Sequence, residues 1–372
     1  MSFTTKYKVD WILFISVTIL MMFSISAVYS SSTFYAEYKF GEYDVFFWNH
    51  IRNVSIAFAL MFLFSVVDYS LLKKLANFLL YFSVILLLLV LFFSIPVKGA
   101  SRWLDIGIAN FQPSEIAKFS LIVYIAKIIS ERVAIKDEFL FVPMPIFIWI
   151  FLISFLIALQ PNFSTSLIIS TVSLLLLFVA KIKIKYIFRF FVIILIIGSI
   201  LGISESYRIQ RISGFFEFLS SQSETHATYQ TNQALIAIGN GGILGLGPGK
   251  TQQGRMFLPE SYGDYIFSII GEEYGFVGLL SIILLLAITL FRIYKIAIRT
   301  TDLFAFVFAS GIFLFIATFS IVNIFVNIGF LPSTGVPMPF ISYGGSAIFI
   351  YGISVGVVQN IHISIKREEY EF

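Results

Sequence analysis

The chain has 372 residues, 58% of them hydrophobic and only 12% charged, whereas soluble domains run near ~25% charged; a soluble globular protein is excluded. Apolar runs of about 18 residues or more recur along its length, the mark of a polytopic helical membrane protein rather than a barrel of short alternating strands. A net charge of +4 requires no nucleic-acid partner, and the lack of cysteine excludes disulfides, zinc–thiolate centres and iron–sulfur clusters.

Allowing about 20 apolar residues per span, the chain offers ten candidate helices: residues 11–30, 54–67, 75–95, 113–130, 141–159, 164–180, 186–203, 265–291, 303–326 and 344–361. The first has no small-residue cleavage pattern and is taken as a retained span. The short loops gather Lys6, Lys8, Lys73, Lys74, Lys181, Lys183, Lys185, Arg292 and Lys295 on one side. The positive-inside bias makes that side cytoplasmic and, with ten spans, places both termini there. The expected fold is a single all-α polytopic membrane domain over residues 1–372, with a large outer loop, 204–263, between the seventh and eighth helices.

Polar groups that break this apolar background carry the functional reading. In Lys98–Ser120, Pro113 suits the first turn of a helix, and Glu115 and Lys118 share a face one turn in. Each would cost roughly 2.5–3.5 kcal/mol alone at mid-bilayer, so they are expected to pair. The pair is either a structural lock between helices or the polar floor of a cavity open to the outside. Trp103 beside Arg102 fits an interfacial anchor; alternatively Arg102 contacts a phosphate and Trp103 stacks on a sugar. Gln160–Pro161–Asn162 reads as a tight turn between helices, with Asn162 near the N-cap of the next.

The glycines of Gly239–Lys250 let backbone N–H groups come close to an anion, but their spacing is not that of a nucleotide-binding P-loop. Leu258–Gly278 follows. Pro259 and Glu260 form a turn, and Asp264 stands where the chain enters the membrane, either as an exposed helix cap or as a catalytic base. On an unbroken helix Glu272 falls about 80° from Asp264 and Glu273 nearly opposite, both roughly 12–13 Å deeper, where they are expected to be structural charges. Asn327–Ala347, rich in proline and glycine, reads as an irregular and even re-entrant segment that walls a site, ahead of a helix starting at Gly-Gly. His50, His226 and His362 are scattered and form no metal cluster.

These pieces together resemble the SEDS family (shape, elongation, division and sporulation), and the FtsW branch more than the RodA branch. The resemblance rests on Gly99–Ala100–Ser101–Arg102–Trp103, Phe111–Gln112–Pro113–Ser114–Glu115–Ile116–Ala117–Lys118 and Gln160–Pro161. It continues through Gly245–Leu246–Gly247–Pro248–Gly249–Lys250, Leu258–Pro259–Glu260, Asp264, Ile270–Gly271–Glu272–Glu273 and Pro339–Phe340–Ile341–Ser342–Tyr343–Gly344–Gly345–Ser346. The sequence departs from the family at Ser261–Tyr262–Gly263, where Ala-His-Thr is usual, and at Asn162, where aspartate is common.

The resemblance implies a peptidoglycan glycosyltransferase of the bacterial cytoplasmic membrane that polymerises lipid II at the outer face, for septal synthesis. Its alternatives are a lipid II flippase or a RodA-like elongation polymerase. It further implies a class B penicillin-binding protein and other divisome or elongasome membrane proteins as partners. Carried onto this sequence, Asp264 is the catalytic base, Glu115 and Lys118 organise the cavity, and Arg102, Lys250 and Arg255 contact phosphate. Trp103 stacks on sugar, and Glu260 and Ser342 complete the substrate-binding set. A divalent cation, magnesium or manganese, remains open at the diphosphate.

Overall fold

A computed structural model describes residues 9–94, 102–105, 110–135, 138–203, 209, 213–216, 226–255 and 257–371. Lys6, Lys8, Lys98 and the Gly99–Ala100–Ser101 part of the first outer motif lie outside the described residues, as does most of the first half of the outer loop.

Ten helices overlap the ten candidate segments. They are α1 (Trp11–Phe40), α2 (Val45–Val66), α3 (Ser70–Phe93), α4 (Pro113–Glu131), α5 (Pro143–Leu159), α6 (Phe163–Val179) and α7 (Ile184–Ile203), then α9 (Ile266–Arg299), α10 (Leu303–Asn327) and α11 (Gly345–Glu371). An eleventh, α8 (His226–Gly241), lies within the segment expected to be loop. A two-residue hairpin, Leu104–Asp105 with Asn110–Phe111, precedes α4. Among the described residues six helices are long and apolar enough to cross a membrane (α1, α2, α3, α9, α10 and α11), and α5 and α6 are shorter apolar helices.

Several helices outrun the expected apolar windows. Helix α1 continues ten residues past Ser30 through polar Ser31–Lys39, because its ends are set by caps rather than by lipid. Asp10 accepts the N–H of Leu13 at one end, and Gly41, in the left-handed region at φ 74°, closes the other. Helix α2 likewise starts at Val45, nine residues before its apolar window. Hydropathy marks where a helix meets hydrocarbon, and hydrogen bonding marks where it stops.

Helices α4, α10 and α11 form the interior. Fifteen positions of α4 are buried, and α10 packs against α4, α6 and α9. Helix α11 lies along α2, where Gly352 and Gly356 sit so close that an added Cβ would fall 2.5 Å from the carbonyl oxygens of Ala57 and Met61. Such small-residue faces let membrane helices approach where no hydrophobic force draws them together.

At the end of the bundle where α1 begins, buried Asp10 ties three helices. Its carboxylate accepts from Arg292 Nε of α9 at 2.9 Å, and its backbone exchanges hydrogen bonds with the Gln359 side chain of α11 at 3.0 and 2.9 Å. Burial alone would raise the Asp10 carboxyl, but the Arg292 guanidinium and the Leu13 N–H hold it below the usual carboxylate value. That stabilisation is complete above the ordinary carboxylate pKa and is lost as pH falls through the lowered one.

Replacing Arg292 with leucine strands the buried carboxylate. The variant should lose about 2 kcal/mol of stability at neutral pH, the partial exposure of the guanidinium keeping the loss modest. Thermal melts in detergent should show a lowered midpoint that converges on the wild type in acid; identical melts at neutral pH would contradict the assignment.

Candidate functional site

Asp264 does not lie on a helix. It sits in the turn Leu258–Tyr265, two residues before α9 begins at Ile266, so the angular relation expected between it and Glu272 does not exist. Pro259 and Glu260 open this turn as expected, and Glu260 adopts φ 57° while its carbonyl accepts the N–H groups of Gly263 and Tyr265.

The turn is fastened from outside at four successive residues. Ser261 Oγ donates to the Ser31 carbonyl of α1 at 2.9 Å. The Tyr262 carbonyl accepts the Tyr343 N–H at 3.0 Å. The Gly263 carbonyl accepts from Ser342 Oγ at 2.7 Å. The Asp264 carbonyl accepts from Asn323 Nδ2 at 2.8 Å and from Asn327 Nδ2 at 2.9 Å. Two of these anchors come from the segment Ile328–Gly344, which is irregular as expected and runs into α11 at Gly345. Gly335 of that segment faces the carboxylate directly: a Cβ built on it would lie 3.5 Å from Asp264 Oδ2. Asp264 itself is half-buried, and the Glu260 carboxylate lies on the same turn, 3.7 Å from where a Gly263 Cβ would stand.

Tyr262, at the position where histidine is usual, anchors the turn by packing. Its ring centroid lies 5.5 Å from Tyr35, 4.7 Å from Phe46 and 5.8 Å from Tyr343. Burial and the nearby Glu260 carboxylate push its phenol well above the usual tyrosine range, so it stays neutral. Burial raises Tyr343 as well.

Glu115 and Lys118 pair as their spacing predicts, 2.6 Å apart and both buried. The Lys118 ammonium lies 5.0 and 4.3 Å from the ring centroids of Phe315 and Phe319 on α10. Desolvated in this way, cation–π contact adds to the ion pair. Phe319 is one helical turn, about 6 Å of rise, from Asn323, so α10 links this pair to the Asp264 turn. Glu115 Oε2 and the Tyr351 hydroxyl are buried and find no hydrogen-bond partner among the described residues. Arg102 is drawn to the turn between α5 and α6, donating from Nε to the Gln160 carbonyl at 3.3 Å and from Nη2 to the Pro161 carbonyl. Gln160 in turn reaches the Leu87 carbonyl at 3.0 Å. Asn162 holds the N-cap position of α6, but its side chain makes no cap hydrogen bond. Trp103 is half-buried beside Arg102, ahead of the hairpin, and Gln112, at the N-cap of α4, donates its N–H to Ser346 Oγ at 2.8 Å.

The glycine-rich loop does wrap around acidic groups, and these belong to the chain. Glu272 accepts from Thr251 Oγ1 and, at 3.2 Å, from the Gln253 N–H; Glu273 accepts from the Gly249 N–H at 3.1 Å and from Ser30 Oγ of α1. Helix α9 breaks at Gly275 (φ 64°, ψ −163°). There the loop docks by backbone alone: Leu246 and Gly247 donate to the carbonyls of Glu272 and Glu273, and Phe276 and Val277 donate to those of Gly242 and Ile243. Two fully buried carboxylates are tolerated because each receives several donors. Lys250 is exposed and folds back over Gly247, while Arg255 lies 5.2 Å over the Phe34 ring of α1.

The structure therefore brings Asp264 and Glu260 onto one turn held by Ser342, links Glu115 and Lys118 to that turn through Phe319 and Asn323 of α10, puts Lys250 and Arg255 on the docked loop and draws Arg102 to the α5–α6 turn. The Ser342 hydroxyl, expected at substrate, is engaged by Gly263 and by the Met338 N–H. Asn323 and Asn327 were not singled out by sequence; their only signal is a pair of carboxamides four residues apart in an otherwise apolar helix. Among the described residues no three His, Asp or Glu side chains gather as a metal cage.

Comparisons with known proteins follow the same lines. A family model described as a cell cycle protein, covering FtsW, RodA and SpoVE, matches residues 10–367. The chain is 35% identical over 361 residues to the probable peptidoglycan glycosyltransferase FtsW of Geobacter sp. (strain M18), covering 96% of this chain and 97% of that one. It is 32% identical over 361 residues to the stage V sporulation protein E of Bacillus subtilis (strain 168), covering 96% and 98%. Among solved structures, the rod shape determining protein RodA of Thermus thermophilus matches with a TM-score of 0.69 at 23% identity, over 95% of this chain and 96% of that one. A chain from a peptidoglycan synthase complex, solved for the coordination of polymerization and crosslinking, matches with a TM-score of 0.76 at 23% identity, over 98% and 99%. At that identity the likeness is one of fold.

Docking of the glycine-rich loop yields a test by contrast. A Cβ on Gly245 would fall 2.1 Å from the Glu273 carbonyl oxygen, whereas one on Gly249 meets nothing within 4 Å, although both residues have positive φ. Gly245→Ala should free the loop to limited proteolysis, and Gly249→Ala should leave it protected; equal protection in both variants would contradict the docking.

Proposed function

The chain belongs to the FtsW/RodA/SpoVE family of cell cycle proteins, and on that premise we propose that it is a peptidoglycan glycosyltransferase. It polymerises lipid II into glycan strands at the outer face of the bacterial cytoplasmic membrane, in septal wall synthesis. The supporting observation is the half-buried Asp264 carboxylate, carried on a turn fastened at four successive residues and lined by Gly335.

Chain growth from a lipid diphosphate requires the acceptor sugar hydroxyl to lose its proton as its oxygen bonds to the donor's anomeric carbon. The bond from that carbon to the diphosphate oxygen breaks, and the polyprenyl diphosphate leaves with the electron pair. Asp264 takes the proton; a positioned carboxylate base contributes roughly 10²–10⁴-fold. The turn's fastening keeps that carboxylate from wandering as the proton moves, which is the preorganisation such catalysis depends on. Glu115 and Lys118 set the polar floor behind it. Arg102, Lys250 and Arg255 meet diphosphate charge, and Trp103 stacks on sugar.

A divalent cation fits as a companion of the diphosphate rather than as a resident ion. Glu260 offers a carboxylate on the turn beside Asp264, and magnesium is commonly held by one or two carboxylates plus substrate phosphates. Such a cation would neutralise charge on the leaving group.

The ten helices other than α8 are taken as membrane spans with both termini cytoplasmic, and the Ser204–Gly263 segment as outer. The partners are a class B penicillin-binding protein that makes the cross-links and other membrane proteins of the division machinery.

Asp264→Asn should insert and purify as the wild type does but lose at least about 100-fold of its polymerisation of purified lipid II; wild-type rate and strand length would overturn the assignment. The absence of cysteine makes orientation directly measurable. Lys250→Cys should be labelled by an impermeant thiol reagent from outside intact cells and Lys183→Cys only after permeabilisation; the reverse pattern would invert the topology.

A further inference from the structure

Asn323 and Asn327 stand one turn apart on α10, both buried, among Phe, Ile and Val. Carboxamides in that setting are costly unless their donors and acceptors are used. Here they are. Asn323 Nδ2 donates to the carbonyls of Asp264 and Val336, each at 2.8 Å. Asn327 Nδ2 donates to the Asp264 carbonyl and to the Asn323 carbonyl, each at 2.9 Å. Asn327 Oδ1 accepts from the Ser268 N–H at 3.0 Å and from Ser268 Oγ at 2.7 Å.

Three consequences converge on one residue. The Asp264 carbonyl receives two amide donors, so the peptide plane that follows its Cα is fixed, and with it the direction of the Cα–Cβ bond. Tyr265, at the N-cap of α9, makes no side-chain cap hydrogen bond. Asn327 supplies the missing acceptor from another helix and so sets where α9 starts relative to Asp264. Val336, held by the same Asn323 amide, is next to Gly335, which faces the carboxylate. One amide pair thus locks the carboxylate's own backbone, the helix behind it and the wall in front of it.

We propose that Asn323 and Asn327 are positioning residues for the transfer reaction: they aim the Asp264 carboxylate at the acceptor hydroxyl without touching substrate. This rests on Asp264 being the base. Filling space in α10 alone would ask for apolar side chains there, and capping α9 alone would ask for a serine or threonine at its N-cap. The sequence instead keeps two buried carboxamides whose donors meet at the carbonyl of the residue that does the chemistry.

The test is lipid II polymerisation by the full-length protein in detergent or nanodiscs, with kcat and KM measured separately. Asn323→Leu keeps the branched heavy-atom shape and removes the donors to the Asp264 and Val336 carbonyls. It should lower kcat about 100-fold, as small misplacements of a reacting group do, with KM and the melting midpoint near wild type. Combined with Asp264→Asn, it should cause no further loss beyond that of Asp264→Asn alone.

Full kcat in Asn323→Leu alongside an inactive Asp264→Asn would overturn the positioning role and leave the base intact. Wild-type activity in Asp264→Asn would overturn the base and, with it, this inference. Where Asn323→Leu fails to accumulate, Asn323→Ser serves the same comparison. Loss of kcat at unchanged KM supports the inference, and parallel loss of kcat, KM and melting midpoint refutes it.

Discussion

A carboxylate that stands just ahead of a helix cannot be aimed by that helix. Asp264 lies before the first turn of α9, where the helix has not yet organised its own backbone and its first N–H groups need outside acceptors. Its placement therefore depends on what grips the turn. Ser31 of α1, Asn323 and Asn327 of α10, and Ser342 and Tyr343 ahead of α11 each hold one carbonyl or hydroxyl of Ser261–Asp264. Two helices and an irregular segment far apart in sequence share a task that local structure cannot perform.

The other buried carboxylates are handled differently, and the contrast gives Asp264 its meaning. Glu115 is paired with Lys118 over two phenyl rings. Glu272 and Glu273 are wrapped by the loop through Gly249, Thr251 and Gln253, so that their carboxyl oxygens serve to hold that loop on α9. All three are nearly inaccessible, as groups with structural duties in a low-dielectric interior must be. Asp264 is only half-buried, on a rigid mount, with glycine rather than a side chain opposite its oxygen. A rigid mount with partial exposure is the setting that the proposed general-base role asks of a carboxylate.

Much of this was visible in the residues. Apolar windows located ten helices, six of them among the described residues long and apolar enough to cross a membrane, and the i, i+3 spacing of Glu115 and Lys118 anticipated their pairing. Prolines and glycines in Asn327–Ala347 announced an irregular wall. What escaped detection depended on contacts distant in sequence. The polar outer half of α1 is helical because it packs on the Tyr262 turn and meets Glu273 through Ser30, which hydropathy does not register. Gly275 breaks α9 so that the glycine-rich loop can dock, and a lone glycine in an apolar run carries no such message. The loop's acidic partners proved to be the chain's own glutamates, since composition shows that N–H groups are available and not what they meet. Asn323 and Asn327 share a target that lies about sixty residues away in sequence, so nothing local marks it.

The central claim is that a fixed Asp264 carboxylate meets the acceptor hydroxyl, and the most direct measurement is a structure of the protein in a lipid nanodisc with an unreactive lipid-linked disaccharide diphosphate. The account predicts the acceptor hydroxyl within roughly 2.6–3.2 Å of an Asp264 oxygen, with the Asn323 and Asn327 amides still on the Asp264 carbonyl. A sugar bound elsewhere, with the Asp264 side chain turned toward acyl chains, would contradict it.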